Sequence, residues 1–364
     1  MIGSFRKFLL PSLLCCAGLI CTQSLDAKKL ITENPSPEAQ KLYGRLCDIS
    51  GKGILFGHHF TSISGRDFTD WGQTMSRSDV LSAVGDYPAI FSFDFGQGMD
   101  RILPAVKKAG ELGAVITISY HMENPFGDSN SSYCVVPGRN EVAAIMPGGI
   151  HHGFLLDKLD QIADFAQKAT VKGRKIPIIF RPWHEHTGDW FWWGAKSCSE
   201  EEFIALWRFT VDYLRKEKRA DNLLYAFSPS CPADYGGYGT RNPGPDYFDI
   251  AGFDCYRSAD FTEVFIKSAR ETVTYAEKHG KLPAATEFGY KKGLQNSLNS
   301  KWFTEAFLSP LEQNPLACKL SYAVTWTNRS STWWVPLKGD LPYKDFVDFY
   351  NAPYSLFLKE WADK

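Results

Sequence analysis

Short apolar, β-branched runs alternate along this chain with longer amphipathic stretches. Eight runs have strand character, at 53–57, 89–94, 114–120, 176–181, 223–228, 249–254, 284–287 and 321–326. Patterns of helical period lie between most of them, at 100–112, 154–169, 200–216 and 262–279. Strands separated by helical crossovers predict a parallel sheet. Several runs end in polar or aromatic residues: His58 and His59, Asp94, His121, His184 and Glu185, Asp254 and Tyr256, and Glu287. An open doubly wound sheet concentrates its chemistry at one switch point, whereas a closed barrel spreads it over the carboxyl ends of many strands. The pattern therefore predicts an α/β fold, a (β/α)8 TIM barrel in a single domain with extended βα loops. A dinucleotide-binding sheet finds no support, because no G-x-G-x-x-G follows the first run. The loop at 123–150 is rich in Gly, Pro, Ser and Asn, and its length places it at the rim of a functional cleft.

The first residues read differently. Arg6 and Lys7 precede an apolar run that stops near Cys21, too short for a membrane span and followed by polar residues. This is the pattern of a signal peptide over 1–27, cleaved after Ala27, leaving 28–364 as the barrel domain. Export to the periplasm or the extracellular space is expected. A lipid anchor at Cys16 or Cys21 is the weaker alternative, since small residues do not fill the preceding positions such processing favours.

Composition narrows the partners. Lys and Arg total 40 against 41 Asp and Glu, without a run of either sign, so neither nucleic acid nor an anionic membrane is expected as a partner. A neutral substrate fits better. Aromatic residues reach 15%, and the 11 Trp crowd into polar stretches such as 190–193 and 333–334. Rings with polar tips suit ligands that pair an apolar face with many hydroxyls, as sugars do. The cysteines after the leader, Cys47, Cys134, Cys198, Cys231, Cys255 and Cys318, show no C-x-x-C spacing, which argues against a zinc or redox motif and leaves disulfide pairing open.

The densest chemistry lies between Arg181 and Gly194. A strand period of two puts Arg181, Trp183 and Glu185 on the interior side of the barrel, provided the strand stays regular that far. The sequence His184, Glu185, His186 looks superficially like a metalloprotease fragment. That motif needs its second His four positions after the first, and position 188 is Gly, so no metal is expected. A second carboxylate, Glu287, closes the run at 284–287, three strands later. Glutamates ending the fourth and seventh strands face each other across a barrel mouth, where a separation of about 5 to 5.5 Å, as retaining glycosidases use, is feasible. Strand parity also places Arg181 beneath Glu287, positioned to hold it ionised.

The stretches 181–185 (RPWHE), 188–194 (GDWFWWG), 252–256 (GFDCY) and 286–289 (TEFG) together resemble glycoside hydrolase family 26, whose best known members are β-1,4-mannanases. The resemblance runs from Gly57 and His58 at the first strand to Trp326 at the eighth. It implies a retaining hydrolase with Glu185 as acid/base and Glu287 as nucleophile, needing no cofactor. His184 takes the place of the Asn that usually precedes the acid/base in related barrel hydrolases. His184 and His121 would touch the sugar in the reacting subsite, Trp190 and Trp326 would shape the flanking subsites, and Tyr256 would hydrogen-bond the nucleophile. The implied substrate is a β-mannan polysaccharide or oligosaccharide: mannan, glucomannan or galactomannan, cut at internal or terminal linkages. Two departures leave the outer subsites open. His186 and Thr187 stand where many members carry a Met-Asn or similar pair, and the loop at 123–150 has no clear counterpart.

Two nearby carboxylates resist ionising together, so the acid/base is expected to have a raised pKa and the activity a bell-shaped pH profile. Other readings stay open. The same mechanism serves mixed-linkage β-glucan or β-1,3-xylan, and a carbohydrate-binding protein without catalysis would share the fold, although retention of both Glu185 and Glu287 speaks against it. A metal-dependent deacetylase or esterase lacks the ligand spacing.

Overall fold

A computed structural model describes residues 29–71, 74–127, 131–133 and 135–363. The leader expected at 1–27, with Cys16 and Cys21, lies outside the described residues, as does Cys134. Each of the eight expected runs forms a strand: β1 (Ile54–His59), β2 (Ile90–Asp94), β3 (Val115–Ser119), β4 (Ile178–Arg181), β5 (Leu223–Phe227), β6 (Ile250–Arg257), β7 (Leu282–Tyr290) and β8 (Tyr322–Thr325). Successive strands pair in parallel and β8 pairs back onto β1, which closes the barrel. Two short pieces had no clear sequence signal. Ser355–Leu356 adds to the start of β1, and Thr170–Val171 forms a small hairpin with Arg174–Lys175.

The principal helices are α1 (Pro37–Ile49), α2 (Asp79–Val84), α3 (Met99–Glu111), α4 (His152–Lys168), α5 (Glu200–Asp212), α6 (Phe261–His279) and α7 (Tyr343–Asn351). Their ends follow local chemistry. Ser199 caps α5 and forms a capping box with Glu202, and Glu200 to Glu202 put negative charge at the positive end of the helix dipole. Helix α1 opens with Ser36 as its cap and Pro37 in its first turn, where a missing N–H costs nothing. Among the described residues, no helix is long and apolar enough to cross a membrane.

The core is built in layers. Every strand contributes at least one inward residue to a lower plug, among them Leu55, Ile90, Val115, Ile179, Leu224, Ile250, Leu282 and Tyr322, and Leu42, Tyr43 and Leu46 of α1 with Trp361 close the bottom. Alternate residues point outward: Phe91, Phe93, Ile116, Ile118, Phe180 and Phe227 pack with residues of α3, α4 and α5, and Phe253, Ala285 and Phe288 pack with residues of α6. Moving along the strands, the buried residues turn polar, with Ser92, Asp94, Thr117, Ser119, Arg181, Asp254, Thr286 and Glu287. Buried polar groups persist only where they find partners, so this end of the barrel is where a hydrogen-bonded site is built.

Candidate active site

Arg181, the last residue of β4, is the centre of the polar layer. Its Nη1 donates to Asp254 Oδ2 at 2.6 Å and to Ser228 Oγ at 3.3 Å, and its Nη2 donates to Glu287 Oε1. Burial alone would lower the Arg181 pKa, but the Asp254 and Glu287 carboxylates more than reverse that and keep the guanidinium charged. Tyr256 Oη donates to the other oxygen of Glu287 at 2.9 Å. Glu287 is thus gripped through both oxygens, by a cation below and a phenol beside it. Asp254 is steadied by Thr286 Oγ1, which donates to its Oδ1 at 2.7 Å.

Glu287 reaches this position through an irregularity. On β7, Ala284 belongs to the interior plug while Ala285 and Phe288 both pack outward. Regular alternation would send Glu287 outward as well. The pairing with β6 instead jumps from Phe253 opposite Ala285 to Asp254 opposite Glu287, so one extra residue, Thr286, is accommodated in β7. A bulge of this kind re-aims the side chains after it.

The other carboxylate depends on a second irregularity. Strand parity does not continue past Arg181, and here the structure corrects the sequence reading: Trp183 does not face the barrel interior. Trp183 (φ 47°) and Glu185 (φ 54°) both adopt left-handed backbone conformations. Trp183 turns out of the barrel, meets Trp192 and Trp193 edge-on with ring centroids 5.5 Å away, and donates Nε1 to Thr210 Oγ1 of α5 at 3.0 Å. Glu185, anchored by its N–H on the Ser228 carbonyl at 2.8 Å, returns to the cleft. A non-glycine residue held with positive φ costs about 1–3 kcal/mol, a strain found disproportionately at functional sites.

Trp190 Nε1 donates to Glu185 Oε2 at 2.8 Å. Gly188 permits this, because a Cβ there would run into the Trp190 ring. Burial, followed by the charge of Glu287, raises the Glu185 pKa to about 8. The carboxylates are therefore unequal: Glu287 is held by a guanidinium and a phenol, whereas Glu185 favours its protonated form.

A histidine relay lines one wall. Asp94, at the end of β2, accepts from Ser119 Oγ at 2.6 Å, from Gly96 N at 2.8 Å and from His121 Nδ1 at 2.7 Å. Burial would raise the Asp94 pKa, but His121 and Ser119 pull it well below the ordinary carboxylate range. For His121 the effect is reciprocal: burial lowers its pKa, and Asp94 raises it on balance. His121 Nε2 lies 3.2 Å from His184 Nε2, and His184 Nδ1 is buried without a partner among the described residues. With His121 neutral, its Nδ1–H goes to Asp94 and its Nε2 accepts from His184 Nε2–H, leaving only a lone pair unpaired on His184. Trp326 stacks flat on His59 at 4.0 Å and meets His121 edge-on at 5.8 Å.

These groups surround a cleft of about 350 Å³ at the carboxyl end of the barrel. All seven residues expected from the sequence, Glu185, Glu287, His121, His184, Trp190, Tyr256 and Trp326, line it. Tyr133, Lys292 and Trp334 line it too and were not anticipated individually. Tyr133 sits on the 123–150 loop, 59% exposed, with its ring 4.8 Å from Phe191. Trp334 belongs to a Trp pair visible in the sequence, and Gly289 lets it approach β7, since a Cβ there would meet the indole at 2.5 Å. Lys292 carried no sequence signal. The 190–193 aromatic cluster divides: Trp190 faces the cleft, while Phe191, Trp192 and Trp193 are buried beneath it. A larger cavity of about 760 Å³ opens at the opposite end of the barrel around Arg45, Lys172 and Trp361, but among the described residues the carboxylate lining it is Glu38 alone. The smaller cleft, with its unequal carboxylate pair, is the candidate active site.

Comparison with known proteins agrees with the barrel fold. A mannan endo-1,4-β-mannosidase of Bifidobacterium adolescentis is 32% identical, over 86% of this chain and 34% of its own length. The chain thus spans about a third of that curated relative. Among solved structures, the catalytic domain of a Bacillus sp. JAMB-750 endo-β-1,4-mannanase superimposes with a TM-score of 0.85 at 34% identity, covering 92% of this chain and 95% of that one. A modular endo-β-1,4-mannanase from Cellulomonas fimi gives 0.84 at 34% identity, covering 91% and 78%. The family model for glycosyl hydrolase family 26 matches residues 31–304, a span that contains both glutamates and the polar layer beneath them, and the chain belongs to that family.

Proposed function

We propose that this chain is a retaining β-mannanase that hydrolyses β-1,4-mannosidic bonds in mannan, glucomannan or galactomannan, with Glu185 as acid/base and Glu287 as nucleophile. The observation that carries the reading is the asymmetry of the two carboxylates in one cleft. Glu185 has a pKa raised to about 8, and Glu287 is bound by Arg181 and Tyr256. Protonated Glu185 donates to the leaving glycosidic oxygen while Glu287 attacks the anomeric carbon through an oxocarbenium-like transition state. Once Glu287 is esterified its charge is gone, the Glu185 pKa falls, and Glu185 draws the proton from the attacking water. Release of free Glu287 regenerates the starting state.

The wall formed by His121 and His184 borders the reacting subsite, and the hydrogen bonds from His121 to Asp94 and between the two rings fix its shape around the sugar. Trp190 and Trp326 supply flat faces on either side of the point of cleavage. The names of the relatives favour mannan over other β-linked polymers. The leader read at 1–27 suits a polymer met outside the cytoplasm, so we place the mature protein, 28–364, in the periplasm or beyond the cell.

The test is sugar release from a panel of β-mannan, mixed-linkage β-glucan and β-1,3-xylan, with Glu185→Ala and Glu287→Ala alongside. Release from mannan is expected to dominate. Glu185→Ala should lose most activity on substrates with poor leaving groups, with azide partly rescuing activated ones as an azide adduct. Near-normal turnover of mannan by Glu287→Ala would sink the assignment. Products of mannohexaose over time separate internal cutting from release of mannobiose at a chain end.

A further inference from the structure

Two buried thiols outside the cleft carry a further inference, independent of the substrate reading. Cys231 follows the end of β5 and Cys255 lies on β6, and their backbones are already joined. Ser230 forms a parallel bridge with Asp254, and Cys231 N donates to the Asp254 carbonyl at 2.8 Å. Both side chains turn outward into the same apolar cluster beneath α6, 6% and 0% exposed, and their sulfurs are 2.7 Å apart. Cys47 lies at the barrel bottom with α1, and Cys198 receives a hydrogen bond from Arg241 Nη2 at 3.0 Å, so neither competes for this pair.

We infer that Cys231 and Cys255 form a disulfide when the protein folds in an oxidising compartment. The two thiols are oxidised to one S–S bond by exchange with the disulfide of a thiol oxidoreductase. That donor takes up the two electrons and two protons and leaves as a dithiol. The pair is shielded once folding is complete, so the exchange belongs to the folding stage and the finished bond is protected from reduction.

The position gives the bond a purpose. Cys255 sits between Asp254, which pairs with Arg181, and Tyr256, which donates to Glu287. The loop leaving Cys231 carries Tyr235, whose ring meets that of Trp190 at 6.4 Å, and Asp234, which pairs with Arg257 at 3.0 Å. A covalent tie here fixes the loop to β6 at the level where the polar layer gives way to the cleft. It also closes a loop of about 25 residues, within the range where a cross-link restricts the unfolded chain appreciably.

The experiment uses the full chain, secreted through an oxidising compartment or refolded in a glutathione redox buffer. It is denatured without reductant, alkylated, and digested for mass analysis. The expected result is a peptide pair joining Cys231 to Cys255, lighter by two hydrogens than the two thiol peptides, with two fewer titratable thiols than the reduced protein. Cys231→Ser/Cys255→Ser should abolish that difference and lower the Tm by about 5 °C. Full alkylation of both cysteines in the non-reduced protein, or a link from either one to another cysteine, overturns the inference. If the double variant fails to fold, the wild-type thiol count and peptide map decide alone.

Discussion

Replacing Trp190 by Phe tests the electrostatics of the proposed acid most directly. The indole Nε1 donates to Glu185 Oε2 at 2.8 Å, and this bond favours the charged carboxylate, opposing the burial and the Glu287 charge that raise the pKa to about 8. A hydrogen bond to a charged group is worth about 1.5–3 kcal/mol net. At about 1.4 kcal/mol per pH unit, losing it moves the pKa of Glu185 up by about 1 to 2 units. The smaller ring also admits some water, which works the other way, so a rise near 1 unit is expected. The assay is kcat/KM against pH on an unactivated manno-oligosaccharide, whose leaving group needs the proton of the acid. Its basic limb reports the free enzyme. In the wild type that limb should fall near pH 8, and in Trp190→Phe about 1 unit higher. Loss of a sugar contact lowers the whole profile without moving the limb, so the midpoint separates the two effects. An unmoved limb, or one shifted toward neutral pH, would refute the reasoning.

Three further outcomes are expected. Because the Glu185 pKa is raised from an ordinary 4.5 to about 8, its contribution to stability is full below pH 4.5 and is lost as pH rises through 8. Glu185→Gln avoids that loss, so its Tm should exceed the wild-type value by a margin that widens across this window, up to about 5 kcal/mol in stability; a constant margin would contradict it. Asp94→Asn removes the charge that raises His121, so the His121 imidazole should titrate at lower pH by NMR and kcat/KM on mannan should fall; an unchanged titration would break the proposed relay. Arg181→Met leaves Asp254 and Glu287 buried without their shared cation, so denaturant unfolding should show a loss of about 3–5 kcal/mol, and a loss below 1 kcal/mol would mean the ion pairs are solvated.

Sequence pattern located the scaffold well because the barrel is a periodic object. Parallel strands buried on both faces read as short apolar runs, and all eight appeared as such, from Ile54–His59 to Tyr322–Thr325. Polar residues ending those runs pointed to the cleft end of the barrel, strand order singled out Glu185 and Glu287, and the motif resemblance supplied the other five cleft residues. What pattern missed was local geometry. Trp183 was placed inside by alternation and lies outside, because nothing in Arg181, Pro182, Trp183 signals two left-handed residues ahead. Tyr133 is hidden in a loop without period, and Lys292 is the second of two adjacent lysines whose placement depends on a turn after β7. Asp94 was flagged only as a strand end. Its role in orienting His121 needs the neighbouring strand, since Ser119 reaches it from the end of β3 and His121 from just beyond that end.

The two glutamates show why a regular barrel would not suffice. A strand with strict alternation offers the cleft every second residue, and on β4 and β7 that phase belongs to residues needed below: Arg181 on β4, and Ala284 in the interior plug on β7. Continuing the phase of Ala284 would bring Thr286, not Glu287, to the cleft. The extra residue in β7 shifts the phase by one, which turns Glu287 inward and leaves Thr286 free to hold Asp254. On the other side, the left-handed residues at Trp183 and Glu185 end the strand at Arg181, send the indole outward and bring Glu185 back over the cleft. Each carboxylate is thus uncoupled from the strand that supports it. Arg181 can remain fixed by Asp254 and Glu287 while Glu185 is buried beside the Glu287 charge without a bond to the cation, where its proton is held to higher pH despite the indole N–H that opposes it. Had both glutamates followed regular strand geometry, neither would have its present neighbours, and the inequality that separates the proposed acid from the proposed nucleophile would be lost. The irregular backbone is the structural origin of that inequality, and its cost in strain is met by the surrounding hydrogen bonds and the packed Trp183, Trp192 and Trp193 beneath.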